Sequence, residues 1–336
     1  MSCLIKAPNP MYKPTGASYV EMVPWTLGIA NSGSWANAAA SPVPNGAVMD
    51  VIVFNKSTVG ARLAGVREYG SSLTRTIDVC ETRGSGAIGN GAFRFLVTVN
   101  SGVVQCYAEN YNDISFVVVG YWLNRTWVEQ WDVLTVGSAD DNAWFTLTLS
   151  NGANKCHDII VTNDVNYVRA AGSREVGSSH DRKQSCTQSS GGKSGCNFFT
   201  NANASKEIQV FFQAYAANDG VDCGYWDDDV TFEEDFYDIT NTSSGWETRS
   251  IGSRITTGSF AVDIIEGLGD GNTVGYVGAR NDPKTHSRYI DKGSTHPTSN
   301  DPSFVNFTCE MDAGKAIDGY TETTTTAAAY YLGCFY

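Results

Sequence analysis

The sequence is poor in histidine, in proline and in positive charge. It contains 4 His and 9 Pro in 336 residues, and its 23 Lys and Arg stand against 36 Asp and Glu, which gives a net charge of −13. An acidic surface repels phosphate groups, so we expect no binding to nucleic acid through a basic face. No Cys-x-x-Cys pair occurs and no two histidines have a metal-ligand spacing, so we expect neither a metal nor a cofactor.

Long apolar runs are also missing. The longest, Phe116 to Leu123, has eight residues and fits a buried strand better than a membrane span. The first residues, Met1 to Pro8, lack the apolar segment of a secretory signal. We therefore expect no membrane insertion, synthesis in the cytoplasm of a host cell, and nine cysteines that are mostly thiols.

Segments with a helical spacing of apolar residues are nearly absent, whereas short strand-like runs and turn signals are frequent. Val51 to Phe54, Phe93 to Val99 and Trp144 to Leu149 are three such runs. Asn100-Ser101-Gly102 and Ser150-Asn151-Gly152 are typical turns. The pattern predicts an all-β protein of antiparallel β-sandwiches with a jelly-roll-like topology.

One signature occurs three times at nearly constant spacing. A glycine is followed two residues later by an arginine, and a second arginine follows the first after eight residues. The members are Gly65, Arg67 and Arg75; Gly172, Arg174 and Arg182; and Gly278, Arg280 and Arg288. A period near 107 residues is the size of one domain, so we predict three tandem copies of one sandwich.

The repeat divides the chain into four parts. We predict an extended N-terminal arm at residues 1–22 and three sandwich domains at 23–124, 125–227 and 228–336. Three prolines among the first fourteen residues disfavour a helix in the arm. The acidic residues at 227–229 and 233–235 are interpreted as a solvated junction between the second and third domains.

The arginine pairs have two interpretations. They could present guanidinium groups to an anionic sugar or to a carboxylate of a partner. Alternatively, they fix a turn by donating to backbone carbonyls and to a nearby acid of the same domain, for which Glu68 and Glu175 are candidates. The second interpretation is favoured.

Each copy closes on an aromatic cluster. Gly120-Tyr121-Trp122 and Gly224-Tyr225-Trp226 end the first two copies, and Gly333-Cys334-Phe335-Tyr336 ends the third. Such rings could stack on sugars, but aromatic residues at a strand end beside a domain junction more often pack against the next domain. We propose Trp25, Trp127 and Trp246 as their packing partners.

Catalytic and nucleotide-binding motifs fail on their context. Gly84 to Gly89 has the letters of a dinucleotide fingerprint, but a strand follows it where a helix is required. His180 and His286 each precede the second arginine by two residues, yet Leu73 holds that place in the first copy. We therefore expect no catalytic site and no enzyme activity.

The signature Gly-x-Arg-x-x-Gly-Ser-Ser-x-x-Arg, the strand Val104 to Glu109 and the closing Val118 to Trp122 resemble repeated domains of tailed-bacteriophage virion proteins. The likeness is best over residues 50–122 and weaker over 158–226. The third copy departs from it at Asn281 to Lys284. The resemblance implies a structural role and no catalytic residues.

Two functions follow as hypotheses. The first is a bacteriophage virion structural protein, a capsid decoration, cement or head-spike protein, whose partners are the major capsid protein, other virion subunits or further copies of itself. The alternative is an adhesion module of a tail fibre or a surface lectin that binds host-surface glycans.

Overall fold

The structure, a computed structural model, describes most of the chain after residue 17. It covers residues 18–336 apart from 58, 81–91, 137–141, 165–168, 187–191, 215, 229, 256–257, 269–273, 283–286, 294–302, 312–314 and 323–326.

Twenty-four strands form within the described residues, in three sets of eight. The first set is β1 Ser18–Thr26, β2 Ser34–Ala39, β3 Val48–Asn55, β4 Arg62–Glu68, β5 Ile77–Val79, β6 Ala92–Thr98, β7 Val103–Ala108 and β8 Ile114–Leu123. The second set is β9 Trp127–Leu134, β10 Ala143–Thr148, β11 Cys156–Asn163, β12 Arg169–Glu175, β13 Lys183–Cys186, β14 Ser194–Asn201, β15 Glu207–Phe212 and β16 Asn218–Trp226. The third set is β17 Phe232–Asp238, β18 Gly245–Ser250, β19 Ala261–Leu268, β20 Val274–Asn281, β21 Tyr289–Gly293, β22 Ser303–Glu310, β23 Ala316–Thr321 and β24 Ala327–Phe335.

Each set folds into two antiparallel four-stranded sheets with the same strand order. One sheet, here called the inner sheet, has the order first, eighth, third and sixth strand of its set; the other, the outer sheet, has the order second, seventh, fourth and fifth. This is the jelly-roll arrangement of eight strands. The predicted all-β fold of jelly-roll sandwiches is confirmed, and the one helical element among the described residues is a 3-10 turn at Gly252–Arg254.

The third strand of the first jelly roll shows why its apolar residues do not alternate. β3 is buried along all eight residues. Val51 and Val53 point into the core of their own sandwich, whereas Ile52 and Phe54 join a core cluster made mainly of residues from the third set. A strand that is covered on both faces has no solvent side, so its apolar residues run on without alternation.

The three jelly rolls pack as a closed ring. The sixth strands β6, β14 and β22 contact one another, so they surround a common axis. Each sixth strand also contacts the first strand of the following jelly roll, and β22 contacts β1, which closes the ring. The arrangement has approximate threefold symmetry.

One predicted boundary is wrong. β1 begins at Ser18 and pairs with β8, so residues 18–22 belong to the first jelly roll and not to an arm. Within β1, Tyr19 and Glu21 also make contacts with the third jelly roll. Residues 1–17 lie outside the described part. The boundaries at 124/125 and 227/228 fall between β8 and β9 and between β16 and β17.

Candidate functional site: three equivalent interfaces around one axis

The signature glycines lie on the fourth strands. The backbone of the segment that leads into the fifth strand passes very close to each of them. A Cβ on Gly65 would lie 1.7 Å from the carbonyl oxygen of Arg75. The corresponding distances are 2.0 Å from Gly172 to Arg182 and 2.2 Å from Gly278 to Arg288. No side chain fits at these positions, so the fixed spacing of glycine and second arginine in the sequence reflects a direct backbone contact.

The second arginine of each pair is fully buried. Arg75, Arg182 and Arg288 each have 0% of their surface exposed. Each donates to one carbonyl of its own fourth strand and to one carbonyl of its own sixth strand, at 2.7–3.2 Å. The acceptors are Val66 and Leu96 for Arg75, Ser173 and Phe199 for Arg182, and Ala279 and Thr308 for Arg288. These arginines therefore tie the two sheets of each jelly roll together.

The same guanidinium groups also reach a glutamate on the first strand of the next jelly roll. Arg75 lies 2.7 Å from Glu129, and Arg182 lies 3.0 Å from Glu234. Arg288 lies 3.9 Å from Glu21 and donates to the Tyr19 hydroxyl at 3.0 Å. The pairs run from the first jelly roll to the second, from the second to the third and from the third back to the first.

For the second arginines the expectation of an acid from the same domain is therefore wrong, whereas Arg280 pairs with Asp318 of its own jelly roll at 3.1 Å. Glu68 does not accept from Arg75; its backbone N–H instead donates to Glu129 at 2.7 Å, and Glu175 donates in the same way to Glu234 at 2.8 Å. The backbone N–H of Asn281 takes this place toward Glu21, at 2.8 Å. The interface acids thus satisfy both a buried cation and an amide of the preceding jelly roll.

The acidic segment around residue 234 also differs from the prediction. Together with residues 227–229 it was expected to be a solvated junction; Asp227 and Glu233 are exposed, but Glu234 and Asp235 are each only 9% exposed. Burial raises the pKa of Glu234 above its usual value, and Arg182 opposes the rise without cancelling it. The pKa of Glu129 is raised for the same reason and is opposed by Arg75. These carboxyls are partners in an interface, because a solvated acid would have neither the burial nor the fixed donors.

The closing glycines lie directly opposite the interface acids. Gly120 pairs in register with Glu21, Gly224 with Glu129 and Gly333 with Glu234. A Cβ on Gly224 would lie 2.3 Å from the carbonyl oxygen of Val128, so the first strand can approach only because the side chain is missing. The two repeated motifs therefore meet at the same three interfaces.

The aromatic residues that close each copy meet at the axis. The Trp122 ring lies 4.9 Å from that of Trp226 and 4.8 Å from that of Phe335, which is the third copy's equivalent. All three side chains are fully buried. Trp127 packs on Trp226 at 5.0 Å between ring centroids.

The remaining aromatic candidates lie elsewhere. Tyr121 is half-buried against the core of the first jelly roll. Tyr225 is half-buried, with its ring 5.2 Å from that of His157. Trp25 also packs against the first core, and Trp246 lies on an outer sheet. Trp25 and Trp246 are therefore not the packing partners that were expected for the closing residues.

A charged cluster lies where the three sixth strands meet. Arg94, Asn197 and Asn306 hold equivalent positions, opposite Ile52, Ile160 and Ile265 of the third strands. The backbone N–H of Arg94 donates to the Asn197 side chain, and that of Asn197 donates to the Asn306 side chain, both at 3.0 Å. The ladder links all three jelly rolls.

Arg94 is the only cation of this cluster. Its guanidinium lies 3.2 Å from Asp158 of the second jelly roll and 2.6 Å from Asp263 of the third. Burial lowers the pKa of Arg94, but Asp263, Asp158 and Asp50 outweigh that effect and raise it. Burial also raises the pKa of Asp263, to about 6, despite the opposing charge of Arg94. One buried guanidinium therefore pairs with two buried acids that belong to different domains.

The first arginine of each pair has a different environment. Arg67, Arg174 and Arg280 lie on the outer sheets, each over the ring of a tryptophan at 3.8–4.1 Å. Those rings belong to Trp35, Trp144 and Trp246. The Nε of each arginine donates to the seventh strand at 2.9–3.1 Å, to Gln105, Gln209 and Asp318 respectively. Sequence reasoning missed Trp35 and Trp144, although each is the second residue of its strand and lies about 30 residues before the signature glycine.

Other candidate chemistry is sparse in the described part of the chain. No group of His, Cys, Asp and Glu there could hold a metal ion. No helix there is long and apolar enough to cross a membrane. The loop Gly84 to Gly89, His286 and His296 lie outside the described residues. Burial raises the pKa of the thiols of Cys106, Cys156, Cys223 and Cys309.

Comparisons with known proteins give weak matches. No protein-family model and no curated protein matches the chain. A chain from the atomic structure of Sulfolobus Turreted Icosahedral Virus is 11% identical, with a TM-score of 0.20 over 95% of this chain and 90% of that one. A chain from a structure described as the triple jelly roll fold and turret assembly in an archaeal virus is also 11% identical, with a TM-score of 0.21 over 95% and 89%. With scores this low, the fold assignment depends on the strand order itself, and the bacteriophage resemblance stays a prediction.

Proposed function

We propose that the chain is a non-enzymatic structural protein of a virion, a decoration, cement or spike protein that occupies a threefold or threefold-like position on a capsid. The observation that supports this most directly is the closed ring of three jelly rolls. Eight-stranded jelly rolls are frequent in capsid proteins. A ring with approximate threefold symmetry presents three similar edges, as a component placed on a symmetric shell requires.

The way the charges are used also supports a structural role. Arg75, Arg94, Arg182 and Arg288 are fully buried, and each joins two or three jelly rolls. Truncating one partner of such a pair is costly, because the other charge is left buried and unpaired. These buried pairs thus hold the three jelly rolls together, as we expect for a structural component of an assembly.

Several cavities of the described region are open grooves at the domain junctions, while another, lined by residues 28–31 and 35–37, lies within the first jelly roll. One groove, lined by Glu175 to His180 and Thr231 to Glu234, lies between the second and third jelly rolls. Its counterpart, lined by Glu68 to Ser71 and Trp127 to Glu129, lies between the first and second. Ligand sites of enzymes usually enclose most of a substrate. Repeated open grooves fit contacts with neighbouring subunits better.

The partners under this proposal are the major capsid protein and other virion subunits. The location is the virion, after synthesis in the cytoplasm of a host. The assignment to a bacteriophage depends on the sequence resemblance alone.

The test is to locate the protein during infection. Antibodies against the recombinant chain are applied to particles purified on a density gradient, and to the soluble fraction at successive times. We expect the chain to sediment with particles at a fixed copy number. Its presence in the soluble fraction alone at every stage would rule the proposal out.

A variant pair sharpens the same experiment. Arg174→Ala changes only an outer sheet and should still be incorporated. Arg182→Leu weakens the ring and should reduce incorporation at the growth temperature. Equal incorporation of both variants would show that the ring is not what the particle binds.

A further inference from the structure

The outer sheet of the third jelly roll carries an aromatic surface that the other two lack. Trp246, Tyr320, Gly278 and Tyr289 form one row across its four strands. Tyr276 lies two residues before Gly278 on the same strand and therefore on the same face. Trp246, Tyr276, Tyr289 and Tyr320 are here called the aromatic platform.

The rings of the platform touch one another. Tyr289 and Tyr320 stack at 5.0 Å and 24° across Gly278, whose missing side chain leaves room for them. Tyr276 contacts Tyr289 edge-on at 5.0 Å, and Trp246 lies 5.2 Å from Tyr320. Tyr276 is 39% exposed and the other three are half-buried. The result is a contiguous, partly exposed aromatic cluster on the sheet, in which Arg280 covers one face of Trp246.

The other two jelly rolls show that the fold does not need this surface. At the four positions equivalent to Trp246, Tyr320, Tyr289 and Tyr276, the first has Trp35, Tyr107, Thr76 and Leu63, and the second has Trp144, Phe211, Lys183 and Ala170. Two aromatic residues recur in all three sheets, and two tyrosines are added only in the third. Since threonine and leucine serve the same framework in the first jelly roll, packing of the sheet does not require the added tyrosines.

Polar groups border the platform on both sides. On one side the exposed Glu322 accepts the backbone N–H of Tyr276 at 3.2 Å. On the other, Arg280 lies over Trp246 and pairs with Asp318 at 3.1 Å. Aromatic faces stack on the C–H faces of a pyranose, and an exposed carboxylate such as that of Glu322 accepts from its hydroxyls, whereas Arg280 is only 9% exposed and is held by Asp318. This combination is what a sugar requires.

We infer that the aromatic platform binds a neutral or amino-sugar glycan. The exposed carboxylate of Glu322 and the net charge of −13 disfavour sulfated or uronic-acid glycans. The hydroxyls of a neutral sugar, and the amide N–H of an N-acetylated amino sugar, can donate to the same carboxylate. The inference does not depend on a virion role, since it uses only the outer face of one jelly roll.

The test titrates the full chain with chitotetraose, mannotetraose and cellotetraose, with heparin as the anionic probe, and follows tryptophan fluorescence and calorimetry. We expect saturable binding of at least one of the three neutral or acetylated sugars and none of heparin. The double variant Tyr276→Leu/Tyr289→Thr installs the residues of the first jelly roll and should weaken binding about tenfold or more. Its melting temperature should match that of the wild type.

The matched control is Leu63→Ala/Thr76→Ser on the first outer sheet, which should bind like the wild type. Glu322→Gln, a change of one exposed side chain, should weaken binding a few-fold and keeps the test valid if the double variant folds poorly. Failure to bind all three sugars, equal binding by the tyrosine variant, an equal loss in the control or preferred binding of heparin would each overturn the inference. None of these outcomes bears on whether the chain sediments with particles.

Discussion

The two arginines of each signature lie eight residues apart and in opposite environments. In the second jelly roll, Arg174 lies over Trp144 on the outer sheet, whereas Arg182 is buried between domains against Glu234. Burial lowers the pKa of Arg174, and Asp181 and Glu234 oppose the change. Arg174 therefore covers an aromatic ring at the partly solvated surface of the outer sheet. Arg182, in contrast, is buried and connects two jelly rolls.

The first arginine of each pair thus supports a single outer sheet, whereas the second stabilises the contact between two jelly rolls. A guanidinium over an exposed ring contributes about 0.5–1 kcal/mol. A buried charge that loses its partner costs about 3–5 kcal/mol. The two arginines, although equally spaced in every copy, therefore contribute unequally to the free energy of unfolding. Substituting one arginine at a time tests this difference.

The largest effect is expected at the axis. Arg94→Leu leaves Asp158 and Asp263 buried without their cation, so we expect the free energy of unfolding to fall by about 4–5 kcal/mol. Urea denaturation measures it. The triple variant Arg94→Leu/Asp158→Asn/Asp263→Asn removes the unpaired charges and should recover part of the loss. If Arg94→Leu unfolds at the wild-type urea concentration, the cluster does not hold the ring.

A smaller effect separates the two arginines directly. Arg182→Leu removes the partner of the buried Glu234 and should cost about 3–4 kcal/mol. Arg174→Ala should cost about 1–2 kcal/mol, because a ring contact and two hydrogen bonds of a partly exposed side chain, to Gln209 and to the His180 carbonyl, are lost. Thermal melts of the two variants, made side by side, give the ratio. Equal shifts in melting temperature would contradict the division between interface and outer sheet.

A further expected effect is a dependence of stability on pH. Burial raises the pKa of Asp263 to about 6 and that of Glu266 to about 7. A carboxyl with a raised pKa keeps its proton in the folded state, so its stabilising contribution is complete below about pH 4 and is lost as the pH rises through 6 to 7. Between pH 5 and pH 8 this loss amounts to about one pK unit for Asp263 and about two for Glu266, so we expect the free energy of unfolding to be lower at pH 8 by up to about 4 kcal/mol.

Urea midpoints at pH 5, 6, 7 and 8 measure this trend. Glu266→Gln removes one of the two groups and should flatten it, and Asp113→Asn, which changes a partly exposed pair with Arg62, serves as the control. A midpoint that rises between pH 5 and pH 8 would show that the buried carboxyls do not govern the pH dependence.

The sequence predicted the fold well because its evidence is local. Turn signals, alternation and the glycine–arginine spacing all lie within one repeat, and they led to three β-sandwiches. The start of β1 was misplaced because the prolines before residue 15 suggested an arm, whereas the pairing of Ser18 with Leu123 is set by a strand a hundred residues away.

The interface was harder to predict because its partners are distant. Glu129 follows Arg75 by 54 residues and belongs to another domain, and Glu21 precedes Arg288 by more than 260. Nearby Glu68 and Glu175 offered a local explanation that the structure replaces. Arg94 gave one signal: it is the one charged residue of the segment Phe93 to Val99, and burying a charge there costs free energy unless a buried acid pairs with it.

Arg94 has a further consequence for how such a ring can be built. Three separate, identical subunits would carry the same residue at this point, so a homotrimer could place three guanidiniums around the axis or none. A continuous polypeptide escapes that restriction, and here it places one arginine beside two asparagines. Joining the copies end to end therefore permits a centre that no assembly of equal parts can form, and it gives the ring a distinguishable first, second and third position.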